Sequence, residues 1–174
     1  MGATMQPPEE GCKLEELVAF VYRIYRSTEG AYPLLEWVEE KPAVDNRAAF
    51  EGVYLPFLEM RMQKEFDKLY VWRESDIIAT VALVYDFKSK NIEWFPSSLM
   101  NDSTALIEFL MVAPEYQGKG YGKGALEYAI KKLRAMGKRA YVVTSKHLGA
   151  YDFYRKHGFS DVRRYREFVI MVHD

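Results

Sequence analysis

Residues 104–112 read TALIEFLMV, a nine-residue run with a single charge, Glu108. A run of that length and composition suits a strand buried on both faces, so the chain needs a sheet with cover on each side. The run stops at Pro114, and four of the chain's 11 glycines follow between positions 118 and 124. Leu126, Ala129, Ile130, Leu133 and Met136 then recur at helical spacing, stopped by Gly137. A buried strand that feeds a glycine turn and then a helix leaves unpaired amides at the positive end of the helix dipole, a ready anion site. Glycine lets backbone approach a bulky phosphate and permits the left-handed conformations in which amides converge. Lys119 and Lys123 add positive charge.

The spacing excludes two familiar phosphate loops. Lys123 is followed by Gly124 and not by Ser or Thr, so the Walker pattern fails. Neither Gly118 nor Gly120 opens a Gly-x-Gly-x-x-Gly run, so the dinucleotide fingerprint fails too. What stands is Gln-x-x-Gly-x-Gly, on Gln117, Gly120 and Gly122.

Around this unit the pattern predicts one domain over 13–174, preceded by a disordered leader over 1–12 that is punctuated by Pro and Gly. Leu14, Leu17, Val18, Val21 and Tyr25 mark a first amphipathic helix. Residues 28–67 read as short helices and loops, including LLEWVEE and DNRAAFEGVY, with Tyr32, Trp37, Phe50, Tyr54, Phe57 and Phe66 mostly core. KLYVWRESDIIATVALVYDF predicts strands at 68–73 and 77–85 joined by a tight turn, and NIEWF a further short strand. AYVVT is a second buried strand, LGAYDFYRKHG a short helix, and the tail one or two closing strands. The fold class is α/β, a mixed sheet: helices and antiparallel strands first, then β-α-β-α-β.

Composition narrows the setting. No apolar run approaches the 18 or so residues of a membrane span, and residues 1–11 contain no signal-peptide core. Gln6 breaks the myristoylation pattern. One cysteine, Cys12, excludes a disulfide framework and suits a reducing compartment, so a cytoplasmic location is expected. A net charge of −1 argues against nucleic acid as partner. The charge is uneven, however. Residues 115–139 carry seven Lys or Arg against two Glu, and residues 29–67 carry nine Asp or Glu against four Lys or Arg. Each stretch is either a solvated face or a segment that meets an ion of opposite sign.

LMVAPEYQGKGYGKGAL, residues 110–126, resembles the pyrophosphate-binding segment of the GNAT superfamily of acyl-CoA-dependent N-acetyltransferases. AYDFYRKHGF, residues 150–159, resembles that family's later Tyr-x-Lys-x-Gly-Phe segment, and the two stand in the family's order. The resemblance covers about residues 68–172. It implies a GNAT-like fold with a splayed central strand and acetyl-CoA as cosubstrate, with no metal. The backbone of Gly118, Lys119, Gly120, Tyr121, Gly122 and Lys123, after Gln117, would hold the pyrophosphate of coenzyme A. Leu110, Met111 and Val112 would pair with the pantetheine arm, an amide near Val112 polarising the thioester carbonyl. Ala150 and Phe153 belong to the later segment, and Lys156 meets CoA phosphate or solvent. Tyr154 would protonate the departing thiolate, a role that suits a phenol with an ordinary pKa of about 10; the competing role is a plain buried aromatic. Where the family shows Asn three residues before Ala150, this chain has His147, which can also donate or accept a hydrogen bond.

A thioester is attacked by an unprotonated amine, so a proton acceptor is needed. Glu108 is the candidate, alone in its apolar strand, unless it is ion-paired or solvated. One bulge in that strand would reverse the face it presents. Glu29, Glu36 and Glu59 are weaker candidates. No Ser or Cys nucleophile motif is present, which predicts direct transfer without an acyl-enzyme. No His, Cys, Asp and Glu set has metal spacing. The acidic, aromatic stretch 29–67 suits a cationic small-molecule or peptide amine as acceptor. A catalytically inactive acyl-CoA sensor is the alternative, and a binder of some other nucleotide a third. The closing strand FVIMV is a candidate edge for a homodimer.

Overall fold

The computed structural model describes residues 5–33, 35, 38–146 and 149–174. Among them a seven-stranded sheet runs β1 (Glu9–Glu10), β2 (Lys68–Arg73), β3 (Ile77–Val84), β4 (Thr104–Val112), β5 (Arg139–Thr144), β7 (Phe168–His173), β6 (Phe159–Tyr165). Every neighbouring pair is antiparallel except β4 and β5, which are parallel and joined through α3 (Tyr121–Ala135). A parallel pair needs such a crossover, and the apolar stripe of α3 returns it onto the sheet. Helices α1 (Leu14–Ser27) and α2 (Arg47–Met60) cover the opposite face, while α4 (Gly149–Lys156) joins α3.

The sheet is therefore a middle layer with a core on each side. Leu126, Ala129 and Leu133 of α3 meet Val81, Leu83, Ala105 and Ile107. On the other face Leu17, Val21 and Tyr25 of α1 meet Phe50, Tyr54 and Leu58 of α2 over Val71 and Ala82. Phe50 and Tyr54 stack at 4.4 Å, so these aromatics are core as their spacing predicts. Asn46 caps α2, accepting the Ala49 N–H at 3.0 Å. At its far end α2 widens into a π-turn, Arg61–Glu65, closed by Phe66 N–H to the Arg61 carbonyl at 2.8 Å. Such turns are rare and frequent at functional sites.

β4 carries the decisive irregularity. Glu108 pairs with Ala82 and Met111 with Thr80, so Phe109 and Leu110 together oppose Val81. Phe109 adopts φ +50°, a conformation that costs a side-chain-bearing residue roughly 1–2 kcal/mol. The buried Thr80 hydroxyl donates to the Phe109 carbonyl at 2.7 Å and holds the bulge. Alternation is thereby reversed. Ile107 and Leu110 pack toward α3, while Phe109 joins Met111 on the α1–α2 face. Beyond Leu106 β4 no longer pairs with β5, and the two strands part.

Four expectations change. Within the leader, Glu9 and Glu10 pair with Val71 and Tyr70 of β2, and Gly11 N–H donates to the Leu69 carbonyl at 2.7 Å. The free edge of β2 offers them a ladder that Pro7 and Pro8 precede without interrupting. NIEWF forms no strand. Its Ile92 and Phe95 are buried beneath the connection instead, Phe95 edge-on to Tyr141 at 5.7 Å, so its apolar pattern records packing. In LLEWVEE, Leu35 and 38–40 lie outside any helix, and Leu34, Glu36 and Trp37 fall outside the described residues. FVIMV is flanked on both sides, by β5 and β6, so it presents no edge; β6 is the outer strand.

Thr80→Val keeps shape and burial but leaves the Phe109 carbonyl without its donor. A loss of about 1–3 kcal/mol is expected at an unchanged m-value, read by urea unfolding.

Candidate active site

The gap between β4 and β5 is framed by the residues that motif reading singles out. Ala113 N–H donates to the Ile78 carbonyl of β3 at 2.7 Å. Successive amides of an extended strand alternate between its edges, so Val112 and Leu110 turn their N–H groups toward the gap. Met111 turns its own toward β3 and buries its side chain. The Val112 carbonyl, on the gap side, accepts the Gln117 side-chain amide at 3.1 Å. Gln117 thus ties the strand end to the glycine loop.

Gly118 and Gly120 have φ +76° and +90°, where a side chain is strained. Gly120 is the N-cap of α3 and supplies no side chain to the helix end. The first helical bond runs from Gly124 N–H to the Gly120 carbonyl at 3.0 Å, leaving the amides of Tyr121, Gly122 and Lys123 at an open N-terminus. At Gly122 a Cβ would sit 3.6 Å from Val112 and 3.7 Å from Phe153, in ordinary contact. That glycine accordingly marks where β4, α3 and α4 meet. Gly124 has a different job: the Met5 side chain lies where its Cβ would be, so it seats the N-terminal segment. Lys119 lies over the Tyr116 ring at 5.5 Å. Lys123 and Lys156 are exposed and Ala150 is half-buried. His147 lies outside the described residues.

Tyr154 is buried on α4, flanked by Phe153 at 5.6 Å and Phe159 at 5.4 Å between ring centres. Burial, with smaller contributions from Tyr32 and Glu108, pushes its phenol far above the ordinary range. It keeps its proton at neutral pH. The same influence places Tyr154, Tyr32 and Glu108 within electrostatic reach of one another, across the bulge.

Glu108 does not stand alone. Its Oε2 is paired with the Arg61 guanidinium, and its Oε1 accepts the Trp94 indole N–H at 3.0 Å. Arg61 is also paired through Nε with Glu65, and four rings surround it: Phe57, Phe66, Trp94 and Phe109, at 5.1–5.5 Å. Arg61 and Glu65 are only 8% and 4% exposed. Burial pushes the Glu65 carboxyl up to about 7, with Arg61 opposing the shift and Glu108 adding to it. Lys90, also near Glu65, is engaged by Asp67 at 2.6 Å. Sequence reading missed Arg61, Glu65, Trp94 and Tyr32. Arg61 and Glu65 stand four apart, which puts them on one face of the turn, and tertiary packing buries that face. Glu29 and Glu59, the weaker candidates, are exposed, and Glu36 lies outside the described residues. His157 contacts the Phe153 carbonyl at 2.7 Å and His173 lies by Arg134 at 3.2 Å, both at the far end of α4 and α3. Among the described residues no group of three His, Cys, Asp or Glu could hold a metal ion, and no helix is long and apolar enough to cross a membrane.

A mixed sheet parted beside a glycine-capped helix, with a buried phenol at the parting, defines the acyl-CoA-dependent acyltransferase class of fold. Residues 21–159 match the acetyltransferase (GNAT) family, and the chain belongs to that family. The match begins at 21, so it takes in the second half of α1 and all of α2 as well. The chain is 47% identical to a Pyrococcus horikoshii protein assigned as an acetyltransferase, with 95% of this chain and 98% of that one covered at a TM-score of 0.74. Fold likeness extends to the PaiA N-acetyltransferase of Thermoplasma acidophilum in complex with coenzyme A (17% identity, 97% and 99% covered, TM-score 0.62). It extends also to an acetyltransferase of Thermus thermophilus (15% identity, 99% and 97% covered, TM-score 0.63). Among curated proteins none matches the chain.

The raised Glu65 carboxyl carries a stability consequence. Folded Glu65 holds its proton more tightly than the unfolded chain does, so stability is fullest below about 4.5 and is lost as pH rises through about 7. Glu65→Gln should flatten that slope between pH 4.5 and 7 and leave it unchanged elsewhere, measured by urea unfolding across pH.

Proposed function

We propose that the protein transfers an acetyl group from acetyl-CoA directly to a primary amine, and that the gap between β4 and β5 is where the thioester lies. The observation that carries this is the parting of the two strands after Leu106, with inward-facing amides on one wall and Tyr154 at hand. The donor set fits the cosubstrate. Amides 121–123, the left-handed Gly118 and Gly120, and the charge of Lys119 suit a pyrophosphate; the open backbone of Leu110 and Val112 suits an extended amide arm. Gln117 serves by bracing the loop rather than by touching phosphate.

The reaction follows from these groups. The amine nitrogen attacks the thioester carbon, and the Val112 amide stabilises the oxygen as it gains charge. The C–N bond forms, the C–S bond breaks, and the thiolate takes the Tyr154 proton, which solvent later restores. The acceptor enters as an ammonium ion and sheds two protons: Glu108 takes the first, on lone pairs that Arg61 and Trp94 leave free, and the second passes from nitrogen to solvent once the C–N bond has formed. The acceptor is cationic in this proposal. Glu65 and Glu108 share one guanidinium beside half-exposed aromatic rings, and the cluster gains negative charge as pH rises through about 7, where Glu65 ionises.

Acetyl-CoA at a hundredfold excess over its dissociation constant should stabilise the protein by about 2.7 kcal/mol, seen as a raised unfolding midpoint. Gly120→Ala should abolish most of that shift. Thiol release against an amine panel tests turnover, with cationic amines expected ahead of those bearing a carboxylate. Tyr154→Phe should lower kcat by about 10²–10⁴-fold while acetyl-CoA still raises the midpoint. A raised midpoint without turnover on any amine would sink the transferase proposal; no shift at all would sink the CoA site.

A further inference from the structure

We infer that Arg61 is a positioning residue for Glu108: from the π-turn it holds the carboxylate in one orientation. This rests on the acyl-transfer proposal above and deepens it. Arg61 is fixed on every side, by Glu65 at Nε, by Glu108 at Nη2 and by the rings of Phe57, Phe66, Trp94 and Phe109. Glu65 lies on the same turn, four residues on, and with its carboxyl pushed up to about 7 it is only a partial counter-charge to Arg61 at neutral pH. The second pairing reaches instead across to β4, at the residue that opens the bulge. With the Trp94 indole on the other oxygen at 3.0 Å, both oxygens of Glu108 have a donor and the carboxylate plane is set.

In the widened turn both Arg61 and Glu65 are buried, whereas Gln63 and Lys64 between them are exposed. The groups facing Glu108 come from every surrounding element: Arg61 and Glu65 from the turn, Trp94 from the β3–β4 connection, Tyr32 after α1, and Tyr154 from α4. Lys90 bears on Glu65 and is engaged by Asp67. Arg61 is the cation in direct contact with Glu108.

The test uses the full chain labelled with ¹³C at glutamate Cδ, with the Glu108 resonance assigned by its loss in Glu108→Gln. In Arg61→Gln that resonance should leave its native position while the rest of the spectrum stays native. Where an acceptor from the amine panel is turned over, kcat should fall about tenfold or more, and KM for acetyl-CoA should stay within about twofold. Arg61→Lys keeps the charge and loses the fork, so kcat should fall about tenfold or more there too, with the fold intact. A folded Arg61→Gln with an unmoved Glu108 resonance overturns the inference. So does an Arg61→Lys protein with native kcat, which covers the case in which Arg61→Gln does not fold. The resonance needs no turnover, so a chain that binds no acetyl-CoA would sink the transferase proposal and leave this inference to be judged separately.

Discussion

One hydrogen bond, from the Thr80 hydroxyl to the Phe109 carbonyl, stands at the point on which the rest of the structure turns. It secures a bulge that places two residues of β4 against one of β3. Three consequences follow from that extra residue. The strand bends away from β5, which makes the gap. The phase of the side chains reverses, so Leu110 and Val112 face α3 while Phe109 and Met111 face α1 and α2. The Phe109 ring is delivered to the cluster around Arg61. A regular strand would supply none of these. Its left-handed Phe109 is the kind of local strain that a surrounding fold sustains where function needs it.

Much of the frame is legible in the sequence because it rests on local pattern. β2, β3, β4, α3 and β5 follow hydrophobic periodicity bounded by Pro114, Gly137 and the 74–76 turn, and each lies within a residue or so of its predicted position. The glycine loop is legible because amide geometry at a helix end is a property of a few adjacent residues. The bulge enters the sequence reading through the family resemblance, which implies a splayed strand near Leu110–Val112, and as something that would reverse the face of Glu108. No residue type announces it, since Phe109 is an uncommon occupant of a left-handed position. The short strand at NIEWF misleads because buried aromatics look alike in a strand and beneath a loop.

The cluster around Glu108 is less legible still, and for a physical reason. Its members come from residues 61, 65, 94 and 108, which sequence distance separates and only tertiary packing unites. Glu65 is hidden among nine acidic residues of a stretch whose net charge suggests a solvated face. Burial, invisible in composition, distinguishes it. The acidic bias is informative in sign but not in address: Glu29 and Glu59 face solvent, and the carboxylate that matters lies inside.

The two halves of the site answer opposite electrostatic demands. On the α3 side, open amides and Lys119 present positive potential toward an anionic cosubstrate. On the α2 side, buried Glu65 and half-buried Glu108 share one guanidinium, and negative charge grows as pH rises through about 7. The seam between them is β4, whose backbone faces one region through Val112 and the other through Glu108. A thioester reaction gains from this division. The amine approaches as a cation, must become neutral before attack, and the thiolate departs as an anion. A carboxylate oriented by Arg61 and Trp94 serves the first change, and a phenol kept protonated by burial serves the last. One group stands on β4 and the other on α4, and that separation lets a proton leave at one while another is given at the other.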